Sequence, residues 1–156
     1  MKIKDLRLHE LQPGEAIPFR LLLLADEEEE IRKYIYNSSV YTLYYKPQKD
    51  PIAVIAISRV NESVIEIKNI GVWESFRNNG IGSLLINYVK EIAYKENYTG
   101  IIVGTADNGI NQIRFYERNG FVKYAVKKNY FIDNYSRPIV DDGVLLKDMV
   151  MLKIKL

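Results

Sequence analysis

Residues Ile70–Asn87, IGVWESFRNNGIGSLLIN, constrain what this chain can fold into more than any other stretch. An apolar run ends in a turn, Arg77-Asn78-Asn79-Gly80-Ile81-Gly82, and an amphipathic segment starts inside that turn. From Ile81 the apolar positions fall at Ile81, Leu84, Leu85, Tyr88, Val89 and Ile92, the i, i+3, i+4, i+7, i+8 spacing of one buried helix face. The stretch reads as strand, tight loop and helix. A loop at a helix N-terminus presents backbone N–H groups that lack intrahelical acceptors, and the helix dipole adds about half a positive charge there. Two glycines keep Cβ atoms out of the way of an approaching anion, so a diphosphate suits the loop. Two common phosphate loops are excluded. The Walker loop needs a Lys directly after its last glycine, and the dinucleotide fingerprint needs a third glycine where Leu85 stands.

The flanks supply the remaining elements. Ile3 to Glu10 alternates apolar with polar residues and predicts a first strand, closed by Pro13-Gly14. His9 reads as a surface residue of that strand. Pro18 to Ala25 predicts a short apolar helix. Asp26 then reads as the N-cap of a second helix, with Glu29 completing a capping box and Ile31, Tyr34 and Ile35 facing inward. Val40–Tyr45, Ile52–Val60 and Val64–Trp73 are strand-like. Ile101–Thr105 predicts a strand, Asn108–Asn119 a helix capped by Asn119-Gly120, and Phe121–Phe131 and Leu145–Ile154 the last two strands. Hairpins alternate with crossover helices, so the sheet should be mixed. At 156 residues without a repeat, low-complexity tract or linker, the chain is expected to be a single domain over residues 1–156.

Composition removes several classes of function. A net charge of +2 with scattered basic residues argues against nucleic acid. There is no cysteine and a single histidine, which rules out a thiolate nucleophile and argues against a metal site. The charged start, Met1-Lys2-Ile3-Lys4-Asp5, does not resemble a signal peptide. No apolar run reaches the ~20 residues of a membrane span. A cytoplasmic protein that does not engage membranes is the expectation.

Arg77-x-x-Gly80-x-Gly82 after a strand is similar to the pyrophosphate loop of the GCN5-related N-acetyltransferase (GNAT) family. Phe115-Tyr116-Glu117-Arg118-Asn119-Gly120-Phe121 resembles the same family's F-Y-x-x-x-G-F signature. The resemblance is specific from about residue 64 to 121 and compatible in the flanks, and the chain as a whole is similar to a small bacterial N-acetyltransferase subgroup. It implies the GNAT fold: an α/β, mixed six- to seven-stranded sheet, splayed between the fourth and fifth strands and flanked by about four helices. It also implies acetyl-CoA as cosubstrate, with no metal, and a pantetheine arm that adds to the fourth strand as though it were another strand. By resemblance, Ile70, Gly71 and Val72 would meet the pantetheine, and an N–H on this strand would help form the oxyanion hole. Arg77, Asn78, Asn79, Gly80, Ile81, Gly82 and Ser83 would hold the pyrophosphate. One of Asn108 and Asn111 would also contact coenzyme A, and the family's N-x-x-A spacing is not reproduced to say which. Glu74 stands where the family often has proline, and Asn78 where it often has glycine; Asn tolerates left-handed backbone better than most residues.

Acetyl transfer from a thioester to an amine needs a neutral amine, a stabilised oxyanion and a proton for the departing thiolate. A lysine-type amine, with pKa near 10.4, is neutral on the order of one time in a thousand at pH 7, so a base matters. In Val64-Ile65-Glu66-Ile67-Lys68-Asn69-Ile70-Gly71-Val72 the alternation changes phase, and a bulge near Asn69 or Ile70 would explain it. Glu66, eleven residues before Arg77, matches the catalytic glutamate of the histone-modifying branch and is the candidate base; a solvent-facing residue paired with Lys68 is the other reading. Tyr116 holds the family's general-acid position, while helical spacing with Ile113 and Phe115 also suits plain core packing.

The acceptor side is less legible. The run Asp26-Glu27-Glu28-Glu29-Glu30 suits either a solvated first helical turn or a polycationic amine. Tyr130, Phe131 and Tyr135, with Asp133, Asp141 and Asp142, suit a clamp for a cationic substrate, hairpin packing or a homodimer contact. A small primary amine is favoured over a protein substrate, and direct transfer over an acetyl-enzyme. A non-catalytic acyl-CoA-binding module is the alternative that these residues leave open.

Overall fold

The phase change in the fourth strand is real, and it decides which face each neighbouring helix covers. The computed structural model describes residues 1–156. Its main sheet comprises β1 (Leu6–Glu10), β2 (Ser39–Tyr45), β3 (Ala53–Arg59), β4 (Val64–Val72), β5 (Gly100–Ala106), β6 (Val122–Lys127) and β9 (Met149–Lys155). The spatial order is β1-β2-β3-β4-β5-β9-β6, and β7 (Val140–Asp141) and β8 (Val144–Leu145) form a separate hairpin. Ile57 pairs with Ile67 but Ala56 pairs with Asn69, so Lys68 is the extra residue of a bulge, one place earlier than the alternation predicts. Before the bulge Ile65 and Ile67 face one side; after it Ile70 and Val72 do, and Asn69 and Gly71 turn to the other.

Each face carries its own core. On the first, Ile55, Ile57, Ile65, Ile67, Ile101 and Val103 pack against α3 (Ile81–Lys95) and α4 (Ile110–Arg118), through Leu85, Ile86, Val89, Ile113 and Tyr116. On the second, Val40, Val54 and Ala56 pack against Leu21 and Leu22 of α1 (Phe19–Leu22), and against Ile31 of α2 (Glu28–Tyr34) and Ile35 just after it. The α3 stripe is rotated slightly from the predicted one. Ile86 and Ala93 are buried, whereas Leu84, Tyr88 and Ile92 sit at its half-buried margin.

All connections around the sheet are antiparallel except β4–β5, which pair in parallel only from Val64–Ile67 to Gly100–Val103. Beyond Ile67 the two strands separate, which is the expected splay. The helix α4 ends in a full Schellman arrangement: Phe121 N–H donates to Tyr116 O and Gly120 N–H to Glu117 O, both at 3.0 Å, with Gly120 at φ +95°.

Four expectations need correction. Ile3–Asp5 is a 3-10 turn, so β1 begins at Leu6. The strand predicted over Phe121–Phe131 stops at Lys127, because Asn129 takes φ +57° and opens a fifth helix, α5 (Tyr130–Asn134). Leu145 belongs to the β7–β8 hairpin, built on Asp142-Gly143 with φ of +50° and +75°, the signature of a tight two-residue turn. The capping box does not form. Asp26 turns inward instead of capping α2, and Glu29 accepts a hydrogen bond from Ser136 at 2.6 Å.

Candidate active site

Where β4 and β5 part, they leave a cleft of about 780 Å³. Its floor is the free edge of β4, where Ile70, Gly71 and Val72 all line the cleft. Gly71 also has a packing role, because a Cβ there would lie 2.5 Å from the Leu21 carbonyl oxygen of α1.

At one end lies the loop into α3. Asn78 and Gly80 both take left-handed backbone, φ +63° and +76°, which alternates with Asn79 to make a concave backbone surface. From Asn78 through Ser83 no backbone N–H has a protein acceptor, so the donors converge with the positive end of the α3 dipole. Arg77 Nε donates to the Val72 carbonyl at 3.1 Å, tying the loop to the end of β4. The Asn79 amide donates to Phe76 O and Arg77 O, both at 3.1 Å; its side chain holds the loop rather than lining the cleft. Gly82 lets α4 approach, since a Cβ there would lie 3.0 Å from the Phe115 ring. Arg77, Asn78, Gly80, Ile81, Gly82 and Ser83 all line the cleft.

Tyr116 and Asn108 form the opposite wall. Tyr116 is buried, packs edge-on against Phe115 and Phe121, lines the cleft and makes no side-chain hydrogen bond. Burial pushes its phenol well above the ordinary tyrosine range. Asn108 Oδ1 is buried with no partner, and Asn108 lines the cleft; Asn111 is exposed and does not. The orphaned acceptor and the run of free N–H donors match the amides and diphosphate of a coenzyme A arm.

The other end of the cleft is closed by Asp26 of the acidic run and by Phe131, Tyr135 and Asp141 of the aromatic cluster, joined by Leu146, which the sequence pattern did not single out. Asp26 lines it and accepts from Tyr135 Oη at 2.7 Å, Glu27 N–H at 2.8 Å and Tyr34 Oη at 3.1 Å. Burial raises its pKa from the ordinary aspartate value, partly offset by these hydrogen bonds. Phe131, Tyr135, Asp141 and Leu146 complete this end, held in place by Phe131 N–H to Lys147 O at 3.0 Å. The acidic run is neither a simple solvated turn nor a free anionic surface. Glu27 pairs with Arg137 at 2.8 Å, Glu30 with Lys33 at 2.8 Å and Glu28 with Arg32 at 3.5 Å. The last two pairs lie within α2; the Glu27–Arg137 pair fastens the 129–148 segment to the start of α2, and Lys33 also donates to Asn134 O at 2.9 Å.

Glu66 lies beside the cleft rather than in its lining. Its Oε1 accepts from Lys68 Nζ at 3.3 Å, and Lys68 itself lines the cleft with its ammonium 5.4 Å from the centre of the Tyr34 ring. The charge of Glu66 reaches Tyr124 and Tyr130, helping to raise both phenols after burial has done most of it. No cluster of three His, Cys, Asp or Glu side chains capable of holding a metal is present, and no helix is long and apolar enough to cross a membrane.

A strand, a phosphate-binding loop and a helix, set against a parallel strand pair that splays over a cleft, define an acetyl-CoA-dependent acetyltransferase. Residues 7–121 match the Acetyltransferase (GNAT) family, and the chain belongs to it. Over 157 aligned positions it is 29% identical to the Uncharacterized N-acetyltransferase YvbK of Bacillus subtilis (strain 168), covering 100% of both chains. It is similar to the crystal structure of a GNAT family acetyltransferase from Elizabethkingia anophelis with acetyl-CoA bound, with 33% identity, a TM-score of 0.91, and 97% and 99% of the two chains covered. The IAA acetyltransferase from Bacillus cereus ATCC 14579 follows at 30% identity and a TM-score of 0.87, again covering 97% and 99%.

Proposed function

We propose that this chain transfers the acetyl group to the primary amine of a small molecule, directly within a ternary complex. The observation that carries this reading is the closure of the acceptor end. The 129–148 segment is fastened across it by the Tyr135–Asp26, Ser136–Glu29 and Arg137–Glu27 contacts. A small amine reaches the β4–β5 opening past Asp26, Tyr135 and Phe131, whereas an extended polypeptide would have to displace those contacts. A carboxylate among aromatic walls also favours a cationic approach.

In this reading Asn78–Ser83 hold the diphosphate, Ile70 and Val72 align the pantetheine along β4, and Asn108 rather than Asn111 contacts the arm. Glu66, paired with Lys68, takes the ammonium proton through water. Tyr116 supplies a proton to the departing thiolate. Support for Tyr116 is its unpartnered hydroxyl on the cleft wall.

The test is coenzyme A release from acetyl-CoA, read with a disulfide thiol reagent against polyamines, aminoglycosides, amino acids and basic peptides. With no cysteine, the protein itself gives no background. A primary amine should accelerate release; Tyr116→Phe should lower kcat about tenfold or more without weakening acetyl-CoA binding. Glu66→Gln should lower kcat and remove the acidic limb of its pH profile. An unchanged kcat in either variant removes that residue from the mechanism, and stimulation by peptides alone overturns the small-molecule reading.

A further inference from the structure

Only two buried side-chain oxygen or nitrogen atoms in the chain have no hydrogen-bond partner, Asn69 Oδ1 and Asn108 Oδ1, and both residues line the cleft. Asn108 stands at the head of α4, on the cosubstrate side. Asn69 belongs to the opposite face of the sheet. The bulge at Lys68 turns it away from α3 and α4 and toward α1 and α2, where it is only 4% exposed.

Its amide cannot be the other way round. Nδ2 donates to the Leu22 carbonyl at 2.9 Å, and that oxygen can only accept. Nδ2 also donates to Tyr34 Oη at 3.1 Å, which is free to accept because its own proton goes to Asp26 Oδ2 at 3.1 Å. Asp26 is fixed in turn by Tyr135 Oη and by the Glu27 N–H. The chain Asn69, Tyr34, Asp26 therefore has one direction, with every proton assigned. What it leaves over is a bare, buried carbonyl oxygen on a residue that lines the cleft and is joined through Tyr34 to Asp26 of the acceptor end. A buried acceptor left without a donor is unfavourable, so the site is complete only when something supplies an N–H or O–H.

We infer that Asn69 Oδ1 receives one N–H of the attacking amine and so orients its lone pair toward the thioester carbonyl, which makes Asn69 an acceptor-binding residue. This rests on the amine reading above. A neutral primary amine has two N–H bonds and one lone pair. As the lone pair forms the new N–C bond and the C–S bond breaks, one N–H proton leaves to solvent water, Glu66 having already taken the ammonium proton, and the thiolate gains a proton from Tyr116. The other N–H remains on Asn69 Oδ1 throughout. Asn69 carries no proton itself, so its contribution is orientation. A secondary amine has a single N–H, which cannot both stay on Asn69 and leave, so the site should prefer primary amines.

The experiment compares wild type with Asn69→Ala and Tyr34→Phe, using the best primary amine of the panel, its N-methyl homologue and acetyl-CoA. Asn69→Ala should lower kcat/KM for the primary amine about tenfold or more, leave the KM for acetyl-CoA within twofold, and shrink the primary-over-secondary preference. Tyr34→Phe keeps Oδ1 and the Leu22 contact, so it should give the same pattern at a smaller amplitude; it also serves if Asn69→Ala fails to fold. Equal loss of acetyl-CoA affinity would place Asn69 on the pantetheine and overturn the inference, as would amine kinetics within twofold of wild type. Wild type that responds to no amine at all fails the amine reading itself, and the role of Asn69 with it.

Discussion

Gly71→Ala is the sharpest probe of how the site is supported. An added Cβ would lie 2.5 Å from the Leu21 carbonyl oxygen, about 0.9 Å inside the 3.4 Å at which ordinary contact begins. The obstacle is backbone, so no side-chain rotation relieves it and α1 must recede. A retreat of that size stretches the bond from Asn69 Nδ2 to Leu22 O from 2.9 Å to about 3.8 Å, beyond hydrogen-bonding range. Overpacking costs about 1–3 kcal/mol and the lost hydrogen bond about 1 kcal/mol, so about 2–4 kcal/mol is expected. For a chain of this length that lowers Tm by roughly 4–16 °C. Thermal unfolding with and without acetyl-CoA, together with amine kinetics, checks it. A Tm within about 1 °C of wild type, with full amine kcat/KM, would refute the reasoning. Loss of acetyl-CoA binding at unchanged Tm would mean that Gly71 serves the cosubstrate and not α1.

Gly80→Ala is the contrasting case: no atom lies within 4 Å of the added Cβ, so only the left-handed φ of +76° is penalised, by about 1 kcal/mol, and Tm should fall by only about 2–4 °C. Asp26→Asn tests the half-buried carboxylate. Its pKa is raised in the folded state, so the folded chain holds the proton more tightly, and its contribution to stability falls as pH climbs from the ordinary value of 3.8 through the raised one. The Tm difference between wild type and Asp26→Asn, followed against pH, should move in that direction across that window and be flat above it. The 129–148 segment should depend on its half-buried hydrogen bond more than on its exposed ion pair. Tyr135→Phe, which leaves Asp26 short of a 2.7 Å donor, should cost about 1–3 kcal/mol, while Arg137→Ala, with that side chain 71% exposed, should cost less than about 1 kcal/mol by denaturant unfolding.

The half of the chain from Val64 to Phe121 was legible because its signals are local. The helix period after Gly80, the glycines, the Asn119-Gly120 cap and the phase change in β4 each act within a few residues, where backbone sterics and unpaired N–H groups leave few alternatives. The same holds for the succession of strands and helices up to β5, read from the apolar periodicity and the turn residues between them. Beyond Lys127 the local signal misleads. Val, Tyr and Phe suit a strand, but Asn129 at φ +57° and the Asp142-Gly143 turn divert the chain over α2.

What only the tertiary structure decided is the acceptor end. Asp26 has the sequence context of a helix cap, yet two tyrosine hydroxyls, one of them 109 residues away, draw it inward. Asn69 looked like one polar residue in a mixed strand, and nothing local marks its oxygen as unsatisfied. That fact requires the Leu22 carbonyl, 47 residues distant, and the Tyr34 hydroxyl to occupy its amide nitrogen from one side. By itself the sequence determined a strand, a loop suited to a diphosphate and a helix, because those features rest on contacts between near neighbours; the acetyl-CoA cosubstrate came from the resemblance of these motifs to the family. The surroundings of the proposed amine site were set by long-range packing, where the partner of each polar group is chosen by the fold and not by spacing along the chain.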